Sequence, residues 1–178
     1  DDSPLELYRD DVMRFRVLLG TEIDENPFER LALGEAPDLT ALRTYNGTVY
    51  RWNRACYGVS HGRPHLRIEN RVLPSGPTAV DEVANAAFWV GLMRGLPVVC
   101  GDVRRRMAFD DARMNFIAAA RTGLDAIFTW FDGERIPAAP LVAERLVPIA
   151  REGLRLSGVD SGDADRYLDV IAERATTG

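Results

Sequence analysis

The spacing of apolar and polar residues predicts helices at the start of the chain and extended structure near its middle. Residues 4–20 fit a helix of about four turns that ends at Gly20. Residues 25–42 predict a short helix and a loop, because two prolines and a glycine interrupt the pattern. Residues 44–58 then predict a strand, which would alternate its side chains between two faces. One face would carry Tyr50, Trp52 and Arg54, and the other Val49, Arg51 and Asn53.

A polar link at residues 59–64 joins this strand to a second predicted strand at residues 65–75. The pair predicts an antiparallel hairpin, with a link longer than the tightest hairpin turns. In the second strand, charged residues recur at every second position. One face would carry Leu66, Ile68, Asn70 and Val72, and the other Arg67, Glu69 and Arg71.

Helical patterns dominate the rest of the chain. Residues 76–96 predict a helix that begins near Thr78, and its apolar residues on almost every side predict deep burial. A second helix is expected to begin with Asp110 as its N-cap and to stop at Gly123. The segment "LDAIFTWFDG" predicts a short strand.

Two further helices follow at the C-terminal end of the sequence. Residues 140–158 predict a helix that Pro148 kinks or splits, because proline lacks the N–H that a helix interior needs. The last helix is expected to be capped near Ser161. Strands grouped apart from helices predict an α+β fold, with an antiparallel sheet packed with C-terminal helices.

The length of 178 residues predicts a single domain over 1–178. Its parts would be a helical lead-in at 1–44, a charged strand pair at 45–75 and a mainly helical part at 76–178. No apolar run is expected to span a membrane. Two cysteines and two histidines without a CxxC motif argue against a disulfide scaffold or a zinc site and favour a reducing cytoplasm.

Charge is distributed unevenly along this chain of net charge -5. Residues 41–75 carry six arginines and one acid, whereas both flanking segments are acidic. A short basic segment in an acidic protein suits a small anionic ligand better than a nucleic acid, which usually needs a wide basic face. The chain has no lysine, so any phosphate contact must come from arginine or from the backbone.

Two interpretations of the charged strand remain open. A glutamate flanked by arginines, such as Glu69 between Arg67 and Arg71, is common on solvated strands with cross-strand ion pairs. The same residues suit phosphoryl transfer, in which carboxylates hold Mg²⁺ and arginines neutralise phosphate oxygens. Arg51, Asn53 and Arg54 would then form a polar wall beside the nucleotide or the amino-acid substrate.

The segments "NGTVYRWNR" and "HLRIENRVLPSGPTAVDEVANAAFWVGLMRGL" resemble the glutamate–cysteine ligase family, in its bacterial carboxylate–amine ligase branch. The resemblance covers most of the chain. It implies part of a funnel-shaped antiparallel sheet similar to that of glutamine synthetase, in which ATP, Mg²⁺ and glutamate meet. It also implies phosphorylation of the γ-carboxylate of glutamate, followed by attack of the amine of cysteine or another amine, as in glutathione biosynthesis.

Site residues follow from the resemblance where the motifs match. Glu69 corresponds to a metal ligand, and Arg71 to the arginine that contacts the transferring phosphate. Arg67, Arg54, Arg51 and Asn53 are the further candidates for ATP binding, from their positions beside these two residues.

The resemblance is incomplete. The family's enzymes are longer, and their other metal carboxylates lie in a G-x-E-x-E type motif that this sequence lacks. We therefore expect the C-terminal part of such a ligase, inactive alone, as a cytoplasmic homodimer or paired with an N-terminal half. The alternative is a non-enzymatic paralogue that binds a nucleotide or a partner subunit. Neither nucleic acid nor membrane is an expected partner.

Overall fold

A computed structural model describes residues 3–17, 20, 22–49 and 51–178. The chain divides after Pro74 into two compact units, whereas the length of the sequence predicts one domain. The division lies in the "LPSGPT" segment between the last strand of the first unit and the first helix of the second. Prolines in this segment have no N–H with which to continue a strand. The division after Pro74 lies one residue before the end of the predicted strand pair at residue 75, where the predicted helical part begins.

The described residues of the first unit form three helices and one hairpin, which are α1 Pro4–Arg14, α2 Pro27–Ala32, α3 Thr40–Thr48, β1 Asn53–Ser60 and β2 Arg63–Asn70. Helix α1 begins with a capping box, in which Ser3 and Glu6 each bond the other's backbone N–H. It ends at Arg14 rather than at Gly20, because Phe15 takes an extended backbone conformation. Part of the predicted last turn, Leu18 and Leu19, lies outside the described residues.

Helix α3 replaces the first part of the predicted strand 44–58. The Tyr45 side chain is buried, and its hydroxyl donates to the carbonyl of Asp11 at 2.6 Å. The Glu25 carboxylate accepts the N–H groups of Asp38 and Thr40 at 2.6 and 2.9 Å, which satisfies donors at the start of the helix. These hydrogen bonds to residues distant in sequence favour a helix in the segment where the alternation of side chains alone predicts a strand. Tyr50, one of the residues assigned to a strand face, lies outside the described residues.

The hairpin is tighter than the sequence predicts. Strands β1 and β2 pair antiparallel from Asn53 opposite Asn70 to Ser60 opposite Arg63. His61 and Gly62 form a two-residue turn, and both have positive φ, 50° and 73°. Such a turn matches the twist of the flanking strands, so the polar link expected at 59–64 is mostly strand.

The second unit is mainly helical, with α4 Ala79–Cys100, α5 Phe109–Thr122, β3 Ile127–Thr129, β4 Arg135–Pro137, α6 Ala138–Pro140, α7 Val147–Leu156 and α8 Ser161–Thr177. The predicted short strand pairs antiparallel with β4, which the sequence pattern did not reveal because β4 has three residues. The α+β class, with antiparallel sheet and C-terminal helices, is confirmed. Each sheet of the described residues has two strands.

In the second unit, the predicted starts of α4 and α8 and the predicted end of α5 agree with the structure to within one residue, whereas α4 continues to Cys100, beyond the predicted end at residue 96. Thr78 caps α4 by accepting the N–H of Asp81, and Gly123 ends α5 as expected. The N-cap of α5 is Ala108, two residues before the N-cap predicted at Asp110. Asp160, one residue before Ser161, caps α8 through the N–H groups of its first turn.

A π-helical segment, Leu141–Leu146, joins α6 to α7 in one continuous helix. The N–H of Val147 donates to the carbonyl of Val142, five residues back. The wider turn lies directly before Pro148, which has no N–H to donate. The irregularity predicted at this proline is therefore a local widening of the helix.

Helices α4, α7 and α8 enclose the core of the second unit, which consists of Ala84, Val147, Ala150, Leu154, Ala164, Leu168 and Ile171. At Gly91, Gly95 and Gly153, the backbones of α4 and α7 approach so closely that an added Cβ would overlap main-chain atoms of the other helix. The deep burial predicted for α4 is wrong. Only Ala84, Gly91 and Gly95 are buried in it, because small residues line the contact and bulky ones, such as Val98 and Val99, point away.

Helix α4 is the one helix of the described residues that is long and apolar enough to cross a membrane, by length and composition. Its mean hydropathy reaches 1.4 over the best window, which corrects the expectation that no apolar run has this length. Core helices of soluble proteins meet the same criterion. One such helix does not establish a membrane span.

The close contact between α4 and α7 predicts the effect of a single methyl group. Gly153→Ala should lower the free energy of unfolding of the second unit by about 2–3 kcal/mol, since its Cβ would overlap the carbonyl oxygen of Gly91. Gly47→Ala in α3 is the control, because no atom of the described residues outside its own helical turn lies within 4 Å of an added Cβ. Urea denaturation followed by circular dichroism measures both. Equal stability of Gly153→Ala and the wild type would refute the close contact.

Candidate functional site

The antiparallel register gathers the charged residues of the hairpin on one face. Arg54 lies opposite Glu69, Cys56 opposite Arg67, and Gly58 opposite His65. We call these residues the charged face. The opposite face carries Asn53, Ala55, Tyr57, Leu66, Ile68 and Asn70. The alternation predicted for the second strand is therefore confirmed over the length of β2.

An ion pair between Arg54 and Glu69 is at the centre of the charged face. The Nε of Arg54 donates to Oε2 of Glu69 at 2.6 Å, and Nη1 donates to the backbone carbonyl of Asn46 in α3. The Arg54 side chain is only 17% exposed. Asn46, itself buried, donates to the carbonyl of Ala55 in β1 at 3.3 Å. Arg54 therefore connects both strands to α3, as a cross-strand ion pair of the structural interpretation would.

Two further groups surround Glu69. Arg71 lies just beyond β2, where its backbone N–H donates to the carbonyl of Trp52 at 2.7 Å. Its Nε lies 4.0 Å from Oε1 of Glu69, and the thiol of Cys56 lies 3.5 Å from Oε2. One carboxylate thus faces two guanidinium groups and a thiol.

These neighbours hold the pKa of Glu69 below its ordinary value. The largest cause is the hydrogen bond from Arg54, and the charges of Arg54 and Arg71 act in the same direction. The same hydrogen bond raises the pKa of Arg54. Glu69 is therefore an ionised carboxylate at neutral pH, which is the form that ligates metal ions and pairs with arginine.

Arg67 and His65 extend the charged face toward the turn. Nη1 of Arg67 lies 3.5 Å from Nε2 of His65, and both side chains cross Gly58 of the neighbouring strand. A Cβ at Gly58 would lie 2.8 Å from Nη1 of Arg67. The absence of a side chain at this position is what allows Arg67 to lie across the hairpin, with its own side chain exposed to solvent.

Two predicted site residues lie apart from Glu69. Arg51 pairs with the carboxylate of Asp11 in α1, and its guanidinium stacks on the ring of Phe15 at 3.9 Å. Asn53 is exposed on the face opposite Glu69. The structure therefore brings Arg54 beside Glu69, whereas Arg51 lies before β1 against α1 and Asn53 lies on the opposite face of the hairpin.

Residues that the sequence analysis missed also belong to this region. Tyr8 in α1 interacts electrostatically with Cys56 and Arg67, and its hydroxyl is buried with no hydrogen-bond partner among the described residues. Burial is the main reason why its pKa is raised. Asn46, which orders Arg54, lay within a segment predicted as a strand. No local pattern marks either residue, because their partners are distant in sequence.

The charged face fits one ligand of a metal site and does not form a complete site. Magnesium bound with a nucleotide takes oxygen ligands from one or two carboxylates, phosphates and water. Glu69 offers such a carboxylate, although Arg54 and Cys56 both contact Oε2. Among the described residues, no three His, Cys, Asp or Glu side chains come together as a metal site would require.

Comparisons with protein-family models, with curated proteins and with solved structures found no match for this chain. The functional interpretation therefore rests on the geometry of the charged face and on the resemblance described above.

The lowered pKa of Glu69 predicts a pH-dependent loss of stability. The ionised carboxylate stabilises the folded chain above its ordinary pKa of 4.5, and this contribution is lost as pH falls through the lower folded value. Between about pH 5 and pH 3, the wild type should lose about 1 kcal/mol more than Glu69→Gln. This difference in stability is small because the Glu69 side chain is 37% exposed and solvent screens its ion pair with Arg54.

Chemical denaturation at a series of pH values measures this difference. The matched control is the same substitution in an Arg54→Met background, where the main partner of Glu69 is absent and the difference should shrink. Parallel pH profiles for the wild type and Glu69→Gln would show that the ion pair does not stabilise the fold.

Proposed function

We propose that this chain is the C-terminal part of an ATP-dependent carboxylate–amine ligase of the glutamate–cysteine ligase type. The observation that supports it best is the position of Glu69, an ionised carboxylate between the guanidinium groups of Arg54 and Arg71. A carboxylate and guanidinium groups on one surface suit a phosphoryl group with its metal ion. The chain would be cytoplasmic and inactive alone.

The proposed reaction has two steps. The γ-phosphoryl group of ATP passes to the γ-carboxylate of glutamate, which gives an acyl phosphate and ADP. The amine of cysteine, or another amine, then attacks the acyl carbon, loses a proton, and releases phosphate. The product is a γ-glutamyl amide, which for cysteine is γ-glutamylcysteine.

The residues of the charged face, together with Arg71 just beyond β2, have separate roles in this proposal. Glu69 would supply one oxygen ligand to Mg²⁺, which when bound neutralises charge on the phosphate oxygens. Arg71 would contact the transferring phosphoryl group. Arg67, whose side chain is exposed, would bind other phosphate oxygens of ATP, and Arg54 would hold Glu69 in position. Arg51 and Asn53 would contribute only through the surrounding structure.

Magnesium dependence of nucleotide binding tests the proposal. Isothermal titration with ATP should show that Mg²⁺ tightens binding to the wild type, and Glu69→Gln should lose most of this gain because the ligand oxygen is neutralised. Arg71→Gln should weaken binding about tenfold or more with or without Mg²⁺, since a charged hydrogen bond to phosphate is lost. Glu22→Gln is the matched control, as an exposed carboxylate of the same unit.

The alternative function gives a different result in the same experiment. A non-enzymatic paralogue with an anion-binding groove would bind ATP equally with and without Mg²⁺ and lose affinity steadily as salt is added. Formation of γ-glutamylcysteine by the pure chain, abolished by Glu69→Ala, would contradict the proposal that the chain is inactive alone.

We also propose that the chain forms a homodimer or pairs with an N-terminal half. Leu66 and Ile68 support this, because they are 54% and 52% exposed on the face opposite Glu69. Apolar residues at these exposures on a two-stranded sheet suggest a surface that a partner covers. Sedimentation velocity should show a dimer that Ile68→Asp dissociates, with Ser60→Asp as the control at the exposed strand end. A monomer at every concentration would contradict the homodimer.

A further inference from the structure

Helix α4 carries an apolar stripe that is exposed along nearly its whole length. Its residues follow one another at intervals of four, three, four, three and four positions, which is the heptad spacing by which helices pair. We call this stripe the exposed seam, and its residues are Ala79, Val83, Ala86, Val90, Met93 and Pro97. At 3.6 residues per turn, they fall within an arc of about 80° and extend over about 27 Å of the helix.

The exposed seam is not the face by which α4 packs in its own unit. The residues of α4 that are buried are centred about 140° away around the helix axis, and they are Ala84, Gly91 and Gly95. In the seam, Val83, Val90 and Met93 are 43–48% exposed. A helix of a soluble protein usually turns its apolar stripe toward a partner, so a second apolar stripe on the far side of α4 suggests a second partner.

Two charged residues of opposite sign border the exposed seam. Glu82 lies on one side and Arg94 on the other, each about 60° from the centre of the seam. Both residues are exposed, and neither makes an ion pair among the described residues. Each charge is therefore available to a partner that docks on the seam.

The seam and its two charges are arranged symmetrically about residue 88. Positions equally far before and after residue 88 are either both apolar or oppositely charged, and they are Ala79 with Pro97, Val83 with Met93, Ala86 with Val90, and Glu82 with Arg94. A two-fold axis at residue 88 would pair α4 with α4 of a second copy in antiparallel direction, so that the members of each pair lie at the same level. Glu82 of each copy would then meet Arg94 of the other across the seam.

Other occupants match the seam less well. A parallel pair of α4 helices would place Glu82 level with Glu82 and Arg94 level with Arg94, and like charges at the same level repel. It would also set Ala86 against Ala86, whereas the antiparallel pair sets Ala86 against the larger Val90 and fills the space more evenly. An anionic lipid surface would attract Arg94 and repel Glu82. Charge complementarity therefore selects a second copy in antiparallel direction.

We propose that the exposed seam is the docking surface for α4 of a second copy of this chain, in antiparallel direction about residue 88. The carboxylate of Glu82 in each copy pairs with the guanidinium of Arg94 in the other. One helix face buries less than the roughly 800 Å² per partner of a standard interface, so this association is weak and depends on concentration. It rests neither on the proposed ligase function nor on the pairing proposed for the hairpin, since the seam lies in the second unit.

Ile68→Asp is the parent chain for the test, because it removes the pairing proposed for the hairpin and leaves the seam unchanged. Sedimentation equilibrium should show monomers at low micromolar concentration and dimers toward about 0.5 mM. Val90→Asp in this parent should abolish the dimer, since it places an unpaired charge at the centre of the seam. Val99→Asp is the matched control, because Val99 is an exposed valine of the same helix outside the seam.

An exchange of charges tests the direction of the two helices. In the same parent, Glu82→Arg and Arg94→Glu should each weaken dimerisation at least about fivefold, because each converts two attractive contacts of the dimer into repulsive ones. The double variant with both substitutions should regain the parent's affinity to within about twofold, because every contact is again between opposite charges. Circular dichroism checks that each variant is folded. Should Glu82→Arg disturb the first turn of α4, Arg94→Glu and the double variant decide the result.

Four outcomes would overturn the proposal. A parent chain that stays monomeric at the highest concentration has no docking surface for a second copy. A double variant as weak as the single variants excludes the antiparallel contact between Glu82 and Arg94. Equal loss of the dimer in Val99→Asp and Val90→Asp would place the contact elsewhere. Binding of a monomeric parent to phosphatidylserine vesicles, lost in Val90→Asp, would assign the seam to a membrane surface.

Discussion

The first unit depends on the contacts of one side chain, Arg54. Its guanidinium binds Glu69 in the neighbouring strand and the backbone carbonyl of Asn46 in α3, so three elements are connected through a single planar group. A guanidinium can do this because its donors point in several fixed directions, whereas an ammonium group is a point charge on a flexible stem. Since Arg54 is mostly shielded from water, its loss would leave Glu69 and the Asn46 carbonyl without their main donor.

The second unit is organised by a contact of a different kind. Gly91, Gly95 and Gly153 bring the backbones of α4 and α7 together, and the bulky residues of α4 are consequently directed away from the contact. This explains why a helix that is apolar on almost every side has so few buried residues. Small residues bury little side-chain area, but they allow the two helix backbones to pack closely. This packing is stabilised by dispersion over many atom pairs.

Arginine–carboxylate pairs occur in both units, as Arg54 with Glu69 in the first and Arg145 with Glu134 in the second. Each pair satisfies charges that would otherwise be costly to shield from water. At the charged face, one carboxylate lies among several cations, which suits an anion with its metal ion.

The sequence by itself determined the α+β class, the hairpin, the alternation of Arg67 and Glu69 against Leu66 and Ile68, and several helix ends of the second unit, because periodicity and capping act over a few residues. Only the tertiary structure decided that Tyr45 belongs to a helix and that Arg51 pairs with Asp11. It also decided that Asn53 faces away from Glu69 and that only three residues of α4 are buried. These features depend on partners far apart in the chain, and local pattern carries no information about which distant groups meet.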